Sequence, residues 1–346
     1  MYGITPSKHE LDKLFATSHR FQVVLLLGII GLVSVPLTIL TLYLIIKKTT
    51  KRMGNYKNYL LSLTLWNLLL ITAMLLLQYE VVDVETMVVV IRGPLKYFDD
   101  YYSHIVTFLV IASTNNVATA LFLCSLFKYI HLSVSGGLGS VFTVKQLLII
   151  SICCHVVVTL LTTTPTLLSY IPTSLFRSMP SYKYNFVLRL LSKETVLVYD
   201  PEANKVVVLF ARIRLIFGCV IYSLIVLFLI LTINSLRKRK AILRKKTFRL
   251  QKMMIRTLII HTLIPIFGLL LPLIVMPLVV QTYVPFLQVL NILLVSISTI
   301  FNNLSTIYFI KPYRLAVMKY LQCSHRTAPP VSKYLLSSTD YNSSIY

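Results

Sequence analysis

Residues 257 to 310 read TLIIHTLIPIFGLLLPLIVMPLVVQTYVPFLQVLNILLVSISTIFNNLSTIYFI, 54 positions without one Asp, Glu, Lys or Arg. At the helical rise a single helix of that length would measure about 80 Å, against a bilayer core of about 30 Å. The stretch must therefore hold two spans, and "QTYVP", where Gln281, Thr282 and Pro285 interrupt the apolar run, is the place to divide them. Outward from this pair, five more charge-free windows are each long enough to cross a bilayer. The pattern predicts an all-α membrane protein, a seven-transmembrane helix bundle with spans at about 21–46, 58–78, 103–127, 146–171, 215–236, 257–280 and 286–310. The first window is too long for a signal peptide and lacks a small-residue cleavage site, so it is read as a retained helix.

Composition agrees: 56% of residues are hydrophobic and 13% charged, against about a quarter charged in soluble proteins. The net charge of +23 would suggest nucleic acid in a soluble chain, whereas here it can serve orientation, so no nucleic-acid partner is expected. With residues 1–20 as an external tail, the segments 47–57, 128–145, 237–256 and 311–346 fall in the cytoplasm. They carry 22 of the 34 Lys and Arg but a single acid, Asp340. That bias is the one the positive-inside rule demands.

The densest charge lies in "SLRKRKAILRKKTFRLQKMMIR" (235–256), ten cations and no acid. Such a loop can act as a topogenic signal resting on anionic membrane lipid. Leu243, Phe248, Leu250, Met253, Met254 and Leu258 recur among the cations at near-helical intervals, which suggests a sixth helix projecting into the cytosol to meet a partner protein.

Three segments, "KKTTKRMGNYKNYLLSLTLWN" (47–67), "RKKTFRLQKMMIRTLIIHTLIPIFGLLLPLI" (244–274) and "NNLSTIYFIKPYRLAV" (302–317), resemble the nematode serpentine receptors of class H, a chemoreceptor family of the Str group. The Lys-Arg-Met turn, the Leu-Gln-Lys opening of the sixth helix, its Ile264-Pro265 and Leu271-Pro272 pairs and the terminal Lys-Pro-Tyr-Arg fall in the family's order. The chain departs at the end of the third span, where "LFKYIHL" replaces an acidic, Asn, Arg and aromatic cluster, and at Asn302-Asn303, which replace a His-Gly pair. The resemblance implies a G-protein-coupled receptor for a small volatile or soluble cue, in the plasma membrane of sensory cilia, with a heterotrimeric G protein as partner. Arg249, Lys252 and Arg256, with Lys128, are the residues expected to face that G protein. Pro265 and Pro272 are the expected hinges of the sixth helix, since each removes a backbone hydrogen bond.

Catalytic chemistry is thin. "SVSGGLGS" (133–140) lacks the Gly-Lys-Ser/Thr ending of a nucleotide loop, and Cys153, Cys154 and His155 are consecutive on one helix and cannot by themselves surround a metal. No enzyme, cofactor or metal site is expected. No span carries a carboxylate, which argues against a transporter's ion relay, and the basic split argues against an odorant-gated channel with a cytosolic amino terminus.

What the spans do hold is neutral polarity. Asn115 and Asn116 lie near the middle of the third span, Asn67 on the second, Asn291 near the outer end of the seventh, and these four are the expected cue-binding residues. Singly, each more readily joins helix to helix; it is as a group that they line a pocket. No external loop contains a cysteine, so the long second external loop, 172–214, cannot be tethered by a disulfide and is expected to be mobile or packed on itself. Cys323, just past the last span, is a candidate for palmitoylation.

Overall fold

A computed structural model describes residues 17–50, 53, 56–83, 87–133, 144–177, 190, 194–267 and 285–324. The long helices are α1 (Thr17–Lys48), α2 (Tyr56–Leu77), α3 (Asp100–Ser133), α4 (Val144–Ser169), α5 (Val206–Lys238), α6 (Lys245–Pro265) and α7 (Pro285–Phe309), followed by α8 (Lys311–Ser324). Among the described residues, five helices are long and apolar enough to cross a membrane, and α7 with α8 makes a sixth, bent by 95° at the join. With α6 between them the order is that of a seven-helix bundle. The continuation expected at 268–280, with Pro272, lies outside the described residues.

The helices overrun the apolar windows. α3 extends to Ser133 and α5 from Val206 to Lys238, because hydropathy reports only the part of a helix that meets lipid. α6 starts at Lys245, twelve residues before its apolar run, so the basic segment is helical. Spans without water must hide their hydroxyls, and they do so on their own carbonyls. Thr38 donates to Ser34, Thr64 to Leu60, Thr119 to Asn115, Thr162 to Val158, Thr232 to Phe228 and Thr262 to Leu258, at 2.6–2.9 Å. α1 and α2 pack closely where a Cβ on Gly31 would meet Leu75 Cδ1 at 2.6 Å.

One finding corrects the reading of the loops. A hairpin, β1 (Tyr79–Asp83) and β2 (Val88–Ile91), follows α2, and β3 (Val196–Val198) pairs with β2 antiparallel, Val88 opposite Val198 and Val90 opposite Val196. The long loop before α5 is thus tied to the hairpin over residues 194–200 instead of packing only on itself. Val88, Val90, Ile91 and all of β3 are buried, so both faces of the sheet are covered. Of these, Ile91 and Leu197 join Leu70, Leu77, Val110, Val207 and Val295 in one apolar cluster that caps this end of the bundle. The hairpin fits tightly onto α2. Gln78 takes φ 40° to end the helix, the Gly93 N–H caps the Leu77 carbonyl at 2.9 Å, and a Cβ on Gly93 would run into the carbonyl of Leu76. The four described cysteines are free, and the tether is an ion pair instead. Arg92 donates to Glu194 at 2.6 Å and to Glu80 at 3.3 Å.

Candidate functional site

Two polar layers cross the bundle, one in its middle and one at the end opposite the sheet. In the middle, Asn115 Nδ2 donates to Thr162 Oγ1 and Asn116 Nδ2 to Thr159 Oγ1, each at 2.7 Å. Asn116 Oδ1 can only accept, so the His155 Nδ1–H, 2.7 Å away, donates to it. His155 Nε2 is then the acceptor for the Ser62 hydroxyl at 3.1 Å. Trp66 lies against the same imidazole, 5.5 Å between ring centroids. α2, α3 and α4 are stitched together through these groups. The amides of Asn115 and Asn116 are spent on α4, while Asn67 is buried on α2 and the side chain of Asn291 lies outside the described residues. On the far side, His261 Nε2 reaches Ser305 Oγ at 2.9 Å, Thr306 Oγ1 at 3.1 Å and the Asn302 carbonyl at 3.1 Å, and Asn303 Nδ2 donates to Thr38 Oγ1 at 2.8 Å. These bonds tie α7 to α6 and to α1.

Toward the sheet, α3 carries a residue that sequence reasoning passed over. His104 Nδ1 lies 2.9 Å from the Tyr199 hydroxyl, and its ring stacks on Tyr170 at 4.5 Å. The loop, α3 and the end of α4 meet there. Burial raises the Tyr199 phenol above its ordinary value. Along α3 and the end of α4 the buried Ser103 Oγ, His104 Nε2, Ser113 Oγ and Thr166 Oγ1 have no hydrogen-bond partner among the described residues. Only the loop's pairing brings Tyr199 to His104, and no local sequence signal announces it.

The other layer is cationic. Lys128, expected with the three basic residues of α6 to face the G protein, turns inward and is only 7% exposed. Its ammonium donates to Gln251 Oε1 at 2.9 Å, touches Met254 Sδ at 3.2 Å and sits 4.7 Å from the centre of the Tyr56 ring. Among the described residues no carboxylate belongs to this end: between Glu202 and Asp340 the chain has none. α3 and α6 are therefore clamped by a cation held on neutral groups.

Arg249, Lys252 and Arg256 come together on the opposite face of α6. At 100° per residue they cluster about half a turn from Gln251, Met254, Ile255 and Leu258, which are buried toward α3 and α5. With Tyr308 and Phe309 of α7 and Arg314 of α8 they line a cleft of about 350 Å³. The expected hinge Pro265 is buried at the point where α6 leaves regular α-helix for a wider turn at 266–267. The side chain of Cys323, in the last turn of α8, lies outside the described residues.

Among curated proteins none matches the chain. The family model that does match is that of the serpentine type 7TM GPCR chemoreceptor Srh, over residues 18–323. That range takes in all seven long helices but for Thr17, the sheet and both polar layers, and so this multi-pass membrane protein belongs to the Srh family of chemoreceptors.

Proposed function

We propose that this chain is a chemosensory receptor of the plasma membrane, with its amino terminus outside, that takes up a small cue in the sheet-side half of the bundle and signals to a heterotrimeric G protein at the basic end. The observation that carries the reading is the double attachment of α3. Its sheet-side end is held by His104 to Tyr199 of the loop and its basic end by Lys128 to Gln251 of α6, about 36 Å apart along the helix. A cue that displaces α3 thereby loads the clamp on α6. The unpartnered Ser103, His104, Ser113 and Thr166 groups are the hydrogen-bonding positions a cue would fill, above the Asn115 and Asn116 layer. Asn115 and Asn116 at its floor, with Asn67 and Asn291, remain proposed as part of that lining. When Gln251 withdraws, α6 pivots near Pro265, with Pro272 as the second proposed hinge, and Lys128 becomes a counter-charge for an acidic partner.

The charge split of the loops supports the orientation, and sensory cilia are the place the family suggests. The family is one of receptors and not of enzymes. Cells expressing this chain with a panel of G proteins, screened against volatile and soluble cues for guanine-nucleotide exchange, test the reading. Cue-dependent exchange through at least one G protein is expected. A cue-evoked current that needs no G protein would replace it with a channel.

A further inference from the structure

The cleft on α6 is on the wrong face to be part of the α3 clamp, and it is built for an anion. Arg249, Lys252, Arg256 and Arg314 are exposed around one opening, and among the described residues no carboxylate stands near to neutralise them. The neighbouring helices expose large apolar side chains. Phe301, Leu304 and Tyr308 are 47–60% exposed on α7, and Leu315 and Met318 are about half exposed on α8. A 95° bend separates α7 from α8, and Tyr308 and Phe309 end α7 at that bend. Aromatic side chains at the end of a span sit at headgroup level. The Arg314 guanidinium lies 5.7 Å from the centre of the Tyr308 ring, which holds one cation over the mouth of the cleft.

We infer that the cleft between α6, α7 and α8 is a binding site for the polyphosphorylated headgroup of an inositol phospholipid in the cytoplasmic leaflet. The chemistry selects the headgroup. A monoanionic serine lipid would balance one of four cations, whereas two phosphomonoesters and a phosphodiester carry roughly four negative charges and present oxygens that arginine forks accept in pairs. Basic clefts between transmembrane helices on the cytoplasmic side suit such headgroups. Occupation would hold the basic extension of α6 against α8. The inference rests on the orientation proposed above, but not on any cue or G protein.

The purified full-length chain in phosphatidylcholine nanodiscs is titrated with a fluorescent, water-soluble dioctanoyl phosphatidylinositol bisphosphate. Arg249→Gln/Lys252→Gln/Arg256→Gln should weaken binding about tenfold or more, while Arg237→Gln/Lys238→Gln/Lys240→Gln, with the same charge removed from outside the cleft, should change it less than about twofold. Arg314→Lys, which keeps the charge, should have a smaller effect than Arg314→Gln. Dioctanoyl phosphatidylserine at equal total charge should not compete. Free inositol trisphosphate that binds as tightly as the lipid would assign the cleft to soluble phosphates and overturn the membrane assignment. Equal losses in the two triple variants would reduce the site to diffuse polybasic attraction. Unchanged lipid binding with lost G-protein exchange in the first triple variant would give the cleft to the protein partner instead. Tag accessibility in intact cells reports orientation separately, so a failed lipid site and a reversed topology are told apart.

Discussion

Lys128 Nζ stands 2.9 Å from Gln251 Oε1, and that bond joins α3 to α6 without a carboxylate on either side. Removing the acceptor strands a buried cation, at a cost of about 1–3 kcal/mol. Gln251→Leu should lower the thermal midpoint of the purified receptor and raise cue-independent nucleotide exchange. Adding Lys128→Met replaces both members of the pair by apolar groups and should recover most of the lost stability. A double variant less stable than the single one would show that this bond is not the clamp.

The tether of the loop to the hairpin is graded. The Arg92 bond to Glu194 is shorter than that to Glu80, and all three side chains are partly exposed. Glu194→Gln should therefore loosen the loop by about 1 kcal/mol and Glu80→Gln by less. Cleavage at Lys205 by a lysine-specific protease gives the readout, and equal rates for the two variants would contradict the ranking.

Asn116 and Asn115 separate by the number of bonds they hold. Asn116→Leu breaks links to Thr159 and His155 and removes the acceptor that fixes the imidazole tautomer, whereas Asn115→Leu breaks one to Thr162. The first should lower thermal stability by about 1–3 kcal/mol and reduce surface expression. The second should cost about 0.6 kcal/mol, the average for a hydrogen bond between membrane helices.

Tyr199→Phe keeps the aromatic contact with His104 and loses the bond, so it should cost about 1 kcal/mol at neutral pH. Burial raises the folded phenol's pKa above the unfolded value of about 10, so the folded state favours the protonated form. That stability is fully present below about pH 10 and is lost as pH rises toward the folded value. The difference in melting temperature between wild type and Tyr199→Phe should shrink above pH 10, and a difference that grows would place the phenol in a different environment.

The spans were legible because a bilayer turns helix length into a count of apolar residues, and the Leu-Gln-Lys segment was legible as helix because its apolar positions recur at helical spacing. The sheet was not. "YEVVD", "VVVI" and "VLV" are short and rich in Val, but β3 finds its partner about 100 residues away, and no local pattern encodes that pairing. Arg249, Lys252 and Arg256 share one face by helical spacing alone, so their meeting in one cleft could be read. Lys128 could not be placed, since its burial depends on Gln251, Met254 and Tyr56 from two other helices. The asparagines were visible as a group, but only packing shows that Asn115 and Asn116 bond α4.

The pairing of β2 with β3 also sets an order of events during synthesis. Ile91 leaves the ribosome 105 residues before Val196, a delay of roughly 5–20 s at ordinary elongation rates. Through that interval the nascent chain carries a Val-rich hairpin whose β2 edge has no strand to meet, the kind of edge that recruits other chains. The third strand closes it only after α3 and α4 have been made, so a ribosome stalled between them would release an intermediate with an open, aggregation-prone edge.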